Sequence, residues 1–244
     1  MPKKVIENHD SSVETVLKFT RQAIVDGRFA PDTKLIPRQI ASECGVSFIP
    51  VREALRVLVS EGFVTFFHNR GAWVTPLSIA DLEDLYAIRI ELETEAVRRA
   101  SPLSEADIDR LTSFLDSADR ASARGDRKRV LALNRDFHFF IYEKTQSPRR
   151  LRLIEQMWQH AERYQRLSLN YRHDAADEEH RDIITALAKD DSRGAARAMR
   201  THLETTVDLI RTAFTSVPLA QSQKLNVPSQ QKVTKSSRLG ASST

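Results

Sequence analysis

Four side chains in this sequence could do coordination chemistry together: Asn134, His138, His180 and His202. Asn134 and His138 are four residues apart, so on a helix an amide oxygen and an imidazole nitrogen share one face and can converge on one point. His180 is followed by Ile184 and Leu187, and His202 by Leu203, which places each ring in an apolar-periodic stretch. Three imidazoles entering one core from different helices are costly to leave without partners. A divalent transition metal would satisfy them together; such ligation suits zinc or nickel, with iron and manganese weaker by intrinsic affinity. Spacing by itself favours a plainer reading, in which each histidine is hydrogen-bonded or exposed on an amphipathic helix. A second set suits a different chemistry. Arg38, Arg52, Arg56 and Arg70, together with Ser47, Phe48, Ile49 and His68, offer charge, hydroxyl and apolar contacts of the kind that meet phosphates and base edges.

The elements that must position the second set are legible in Ile40–Gly71, IASECGVSFIPVREALRVLVSEGFVTFFHNRG. Ile40, Ala41 and Cys44 carry helical apolar spacing, Gly45 permits a turn, and Val46 packs back on the first helix. Ser47 is placed to supply an N-cap oxygen for a second helix, and Pro50 falls in its first turn, where no intrahelical N–H is needed. Val51, Leu55, Leu58 and Val59 form its apolar stripe, with Arg52 and Arg56 opposite. After Gly62, Phe63–Phe67 and Ala72–Thr75 have strand composition and flank the polar turn His68-Asn69-Arg70-Gly71. This order is that of a winged helix-turn-helix, whose second helix enters the major groove by its N-terminal end. Ser47, Phe48, Ile49 and Arg52 are therefore the side chains best placed to meet bases.

Beyond Pro76 the apolar spacing is helical throughout, and Ser78 can cap a new helix. The predicted helices are Ile79–Ala100, Glu105–Arg124, Arg127–Thr145, Arg149–Leu169, Ala175–Lys189 and Ser192–Thr215. Their breaks are Ser101-Pro102 with Ser104 and Asp107 as a capping signal, Gly125-Asp126, Ser147-Pro148 and Asp190-Asp191-Ser192. Six such helices make an antiparallel bundle. The expected fold is thus mainly α, with a winged helix-turn-helix over residues 13–76 and an all-helical bundle over residues 79–215. Residues 1–12 read as a disordered arm. Residues 217–244 hold four Lys and Arg and no acid, with few large apolar groups, and read as a disordered basic tail.

Those motifs, in that order, resemble the GntR family of bacterial transcription regulators. The likeness runs from AIVDGRFAPDTKL (Ala23–Leu35) through IPRQIA and PVREALRVLVSEG to HNRGAWV (His68–Val74). It implies that Arg38 and Arg52 contact the operator and that His68 and Gly71 in the wing approach the minor groove. The chain departs from the family at Asp32, where Gly is frequent, at Pro37, where Glu is frequent, and at Phe48-Ile49, where Arg-Thr is usual. Residues 82–214 resemble the FCD ligand-binding domain of the FadR subfamily, through LEDLYAIRIELETEAVRRA (Leu82–Ala100), NRDFHFFIYEKTQSPRRL (Asn134–Leu151), EEHRDIITALAKDD (Glu178–Asp191) and RAMRTHL (Arg197–Leu203). That resemblance implies a metal held by an Asp and three His, which fall here on Asn134, His138, His180 and His202, with Asn in the carboxylate position. It also implies that Arg89 receives a small organic acid effector as a bidentate pair; pairing with Glu93, four residues on, is the local alternative. Trp158 and Tyr164 are either pocket walls or plain core.

Composition narrows the remaining possibilities. The net charge of +4 is mainly a property of the tail: residues 1–76 hold ten Lys and Arg against eight Asp and Glu, and residues 77–216 hold 23 against 25. DNA binding therefore rests on where Arg38, Arg52, Arg56 and Arg70 stand, not on overall basicity. One cysteine excludes an internal disulfide, and Cys44 reads as a small buried apolar residue rather than a redox sensor. No apolar run approaches the roughly 18 residues of a membrane span, and Met1–Asp10 lacks the apolar centre of a secretory signal, so a cytoplasmic protein without membrane contact is expected. A homodimer would read an inverted repeat in double-stranded operator DNA. One rival is a metal-dependent hydrolase or oxygenase built on the histidines; no acid is spaced as an obvious general base beside them, and no nucleophile elbow or phosphate loop is present. Another is an RNA-binding or architectural protein, which fits the tail but not the order of helix and wing.

Overall fold

The computed structural model describes residues 3–168 and 175–216; the tail read as disordered lies outside these residues. In the N-terminal domain, α1 (Lys3–Val25), α2 (Pro37–Cys44) and α3 (Phe48–Ser60) precede a hairpin of β1 (Val64–Phe67) and β2 (Gly71–Val74). Helix α1 takes in residues 3–12, expected as a disordered arm; no proline or glycine interrupts Lys3–Val25, so nothing in the segment stops the helix from extending. Gly45 closes α2 in the left-handed conformation, φ 66°, with its N–H on the carbonyls of Ala41 and Ser42. Asp32, at the position where the resemblance pointed to glycine, also has positive φ, 58°, a conformation that Asp tolerates better than most residues. The strands pair antiparallel with Val64 opposite Val74 and Phe67 opposite Gly71. Val16, Ile24, Leu35, Ile40, Val51, Leu58, Phe63 and Val74 form this domain's core.

Two details of α3 differ from expectation. Ser47 occupies the N-cap position, but its hydroxyl makes no capping bond. Pro50, the third helical residue, has no N–H and so removes one of the two donors such a cap could use. Val51, Leu55 and Leu58 are buried as expected, whereas Val59 is 39% exposed.

The C-terminal domain is a bundle of α4 (Ile79–Ala100), α5 (Glu105–Ala123), α6 (Arg127–Glu143), α7 (Pro148–Ser168), α8 (Ala175–Ala188) and α9 (Ser192–Ser216). Ser78 caps α4 by accepting from the Asp81 N–H, and Ser104 with Asp107 forms a reciprocal capping box at α5. Helix α4 packs along α9, α8 on α9, α5 on α6 and α4 on α7. Leu82, Tyr86, Leu111, Phe137, Ile141, Ile154, Trp158 and Ile183 lie at its centre. Among the described residues no helix is long and apolar enough to cross a membrane.

Contacts between the domains concentrate on α7. The His160 ring stacks on Phe63 at 4.1 Å, its Nε2 lies 2.9 Å from the Glu61 carbonyl, and Arg163 donates to the Thr75 carbonyl. Burial, then Arg163 close by, holds the His160 pKa below its ordinary value. The Tyr164 hydroxyl bonds Ser78 and Asp81, so this residue anchors the interdomain linker rather than walling a pocket. On the N-terminal side Arg21 of α1 grips Glu61 bidentately, at 2.7 Å through Nη2.

Candidate nucleic-acid interface and three-histidine centre

The face formed by α2, α3 and the wing collects the residues expected to meet DNA. Arg38, Ser47, Arg52, Arg56, His68 and Arg70 are exposed, and Gly71 is half-buried at the wing turn. Phe48 is 46% and Ile49 64% exposed at the start of α3, an unusual cost for apolar side chains unless a partner covers them. Arg56 is engaged with Glu53 at 3.0 Å on the helix surface. Between α3 and the wing runs a groove of about 770 Å³ whose lining includes Phe48, Arg52, Leu55, Val59, Phe66 and Arg70; the exposed Val59 belongs to it. Cys44 is half-buried, and burial with Glu43 alongside raises its thiol pKa, which keeps it in the weakly reactive protonated form.

In the bundle the three histidines converge. His138 on α6, His180 on α8 and His202 on α9 are all buried, and each offers a ring nitrogen such that the three lie within 4.8 Å of one another. The Nε2 atoms of His138 and His180 are 3.1 Å apart. Surrounding hydrogen bonds orient the rings. The Tyr142 hydroxyl donates to Glu93 Oε2 at 2.5 Å, so its oxygen accepts from His138 Nδ1 at 3.0 Å, leaving the His138 Nε2 lone pair facing the cluster. His202 Nδ1 lies 2.8 Å from the Glu179 carboxylate, which turns its Nε2 lone pair the same way. Three imidazoles, two of them held from behind by oxygen partners, are a donor set that fits a divalent transition metal. Asn134 lies half-buried one turn before His138 on α6.

Behind this cluster Arg89 pairs with Glu93 at 2.6 Å, with side chains 1% and 0% exposed. The local alternative is thus realised. Burial opposes the Arg89 charge, but the Glu93 carboxylate more than offsets it, and the guanidinium pKa lies above its ordinary value. Its Cζ lies 4.5 Å from the Tyr86 ring and 4.8 Å from the Trp158 ring, yet Nη1 is buried with no hydrogen-bond acceptor. Trp158 is 1% exposed and its ring lies 5.1 Å from that of His138, so it is both core and wall of the cluster. Sequence reasoning missed Tyr142 and Glu93 as partners of the centre, though both show the four-residue helical spacing, after His138 and Arg89 respectively. It also missed Glu179, which serves a histidine on another helix and leaves no local signal.

Comparison with known proteins accords with this geometry. Residues 13–74 match the gntR family of bacterial regulatory proteins, and residues 84–205 match the FCD domain. The chain is 33% identical over 216 residues to the HTH-type transcriptional regulator BphR of Paraburkholderia xenovorans, covering 84% of this chain and 88% of that protein. It is 29% identical over 211 residues to the HTH-type transcriptional repressor GlaR of Escherichia coli, covering 81% and 94%. A solved GntR-type regulator from Rhodococcus sp. RHA1 superposes with a TM-score of 0.70 at 26% identity, covering 85% of this chain and all of that one. Escherichia coli McbR shares the fold, with a TM-score of 0.72 at 24% identity over 83% of this chain and 98% of that one. None of these relatives is an enzyme by name, and a hydrolase or oxygenase reading has no support among them. A wing and reading helix matched over residues 13–74 and an FCD bundle matched over residues 84–205 make this chain a DNA-binding transcriptional regulator of the GntR family.

Proposed function

We propose that the protein is a repressor of the FadR subfamily that binds an inverted-repeat operator as a homodimer and is released by a small organic acid sensed at a metal centre in the bundle. The convergence of His138, His180 and His202, with two rings turned inward by Tyr142 and Glu179, is the observation that carries this reading. Asn134, His138, His180 and His202 would hold the ion, zinc or nickel by donor type. When bound, the ion supplies a Lewis-acid position for a carboxylate oxygen. Arg89 supplies the complementary cation: Glu93 occupies one edge of its guanidinium, and the unsatisfied Nη1 is open to an acceptor. On the DNA side, Arg38, Ser47, Phe48, Ile49, Arg52 and Arg56 would read and position the major groove, and His68, Arg70 and Gly71 the minor groove.

Helix α7 supplies the route from one site to the other. Trp158 touches both Arg89 and His138, and His160 and Arg163, on the following turn, hold the end of α3 and the wing's last strand. An effector that binds one setting of α7 better than another shifts the reading heads by the same free energy.

Elemental analysis of purified protein, before and after reloading with zinc or nickel, should find about one ion per chain. Calorimetric titration of small mono- and dicarboxylic acids into the loaded protein should show binding by one of them, weakened at least about tenfold in Arg89→Lys, which preserves the charge opposite Glu93 but not Nη1. Absence of metal after reloading, together with acid binding that Arg89→Lys leaves intact, refutes the sensing half. A footprint over a single unrepeated half-site refutes the dimeric one.

A further inference from the structure

Trp73 has no assigned role, yet it stands at the centre of the wing. We propose that Trp73, with Phe67, is a positioning residue that holds Arg70 in the attitude with which it enters the minor groove of A·T-rich duplex beside the major-groove site. The inference rests on the reading that the wing meets DNA.

The hairpin register puts Phe67 opposite Gly71 and Thr65 opposite Trp73, so Phe67 and Trp73 are diagonal neighbours on one face. Their rings meet edge to face, 6.4 Å apart at 82°. The Arg70 Cζ lies 5.2 Å from the Trp73 ring and 5.5 Å from the Phe67 ring. The same indole fixes the backbone beneath the arginine, since Trp73 Nε1 donates to the Arg70 carbonyl at 3.2 Å. The turn is closed by Arg70 N–H on the Phe67 carbonyl at 3.1 Å, with Asn69 and Gly71 at φ 60° and 85°. Backbone and side chain of one residue are therefore held by one ring.

Among the described residues no carboxylate pairs with Arg70, in contrast to Arg56, which Glu53 neutralises. A brace of aromatic faces fixes the direction of a guanidinium without cancelling its charge. That is what a minor-groove reader needs, because a narrow A·T groove concentrates negative potential and selects arginine for charge and shape, while a long side chain ordered beforehand loses less freedom on binding. A merely structural tryptophan would require the indole contact to the turn but not the guanidinium over its face.

The test uses the full-length protein and duplexes that it selects from a random pool, measured by gel shift. The flanks of the selected sites are then rebuilt with G·C pairs, which place an amino group in the minor groove, or with inosine·C pairs, which present an A·T-like minor groove. Unmodified protein should bind the G·C flanks about tenfold more weakly and recover with inosine. Arg70→Ala should lose about tenfold in affinity and all discrimination between the two flanks. Trp73→Leu, and Phe67→Leu as a second variant, should lose about threefold to tenfold with the same loss of discrimination. Trp73→Phe, which keeps a ring, should retain most of both. Arg70→Ala combined with Trp73→Leu should be no worse than Arg70→Ala alone. Additive losses in the double variant, or discrimination preserved in both leucine variants, overturn the brace while leaving the wing as a DNA contact. An Arg70→Ala protein indistinguishable from the unmodified one overturns the underlying wing reading and the brace with it.

Discussion

Pro50 illustrates how one residue settles several local features at once. It sits where a helix tolerates a missing donor, and for the same reason it removes one of the two N–H groups that Ser47 could cap; the Ser47 hydroxyl makes no capping bond and the residue is exposed at the start of α3. The proline and the serine were both legible in the sequence; that the proline takes the third helical position follows only from where the helix starts. The histidines divide in the same way. Their number and apolar surroundings were visible, but which ring nitrogen faces inward depends on Tyr142 and Glu179, and the latter reaches His202 from a different helix. Asn134 is the residue at which the metal reading is most sharply exposed to test. Asn134→Asp adds a negative charge one helical turn from His138, and is expected to raise the affinity for zinc by about tenfold in competition with a chromophoric chelator. An unchanged affinity would remove residue 134 from the ligand set.

At the scale of elements, helix starts and stops were the most legible part of the chain because their punctuation is local: Ser78, Ser104 and Asp126 each accept from the backbone N–H three residues on. The packing partners of α7 were not legible, since an amphipathic stripe specifies that a face is buried but not against what. His160 shows the difference. It reads as an ordinary helix histidine, yet it lies flat on Phe63 and bonds the end of α3. Its depressed pKa sets the sign of a pH effect. In the unfolded chain the imidazole titrates near its ordinary 6.5, while in the docked protein it resists protonation below that value. The docked state therefore keeps its full stability above the unfolded pKa and loses it as pH falls from 6.5 towards the folded value. Replacing the ring by an amide in His160→Gln should flatten this part of the profile: between pH 7.5 and pH 5.5, thermal unfolding of the unmodified protein should shift downward more than that of the variant. Parallel profiles would show that His160 is not a source of the acid sensitivity.

For the molecule as a whole, the sequence gives two hydrophobic patterns and the structure two separate cores, joined by the Thr75–Ser78 linker and clamped by α7. Under the proposed function, such a construction couples two sites without merging them. Linkage requires that an acid which weakens operator binding by some factor be itself bound more weakly, by that same factor, when operator is present; for coupling of typical strength this is about 5- to 150-fold. Measuring both legs with one acid and one selected duplex closes the cycle. An acid that binds the protein yet leaves operator affinity unchanged, its own affinity being unchanged by operator, would refute coupling between the bundle and the reading heads.

The chain holds two tryptophans, and the fold assigns one to each functional end: Trp73 half-exposed on the wing, Trp158 sealed beside His138 and Arg89. Each indole thus emits from a different polarity, the first open to aqueous quenchers and to nucleobases, the second shielded from both but adjacent to any paramagnetic ion at the imidazoles. The regulator carries its own pair of optical probes, and the intrinsic spectrum separates an event at the reading end from one at the sensing end without a label.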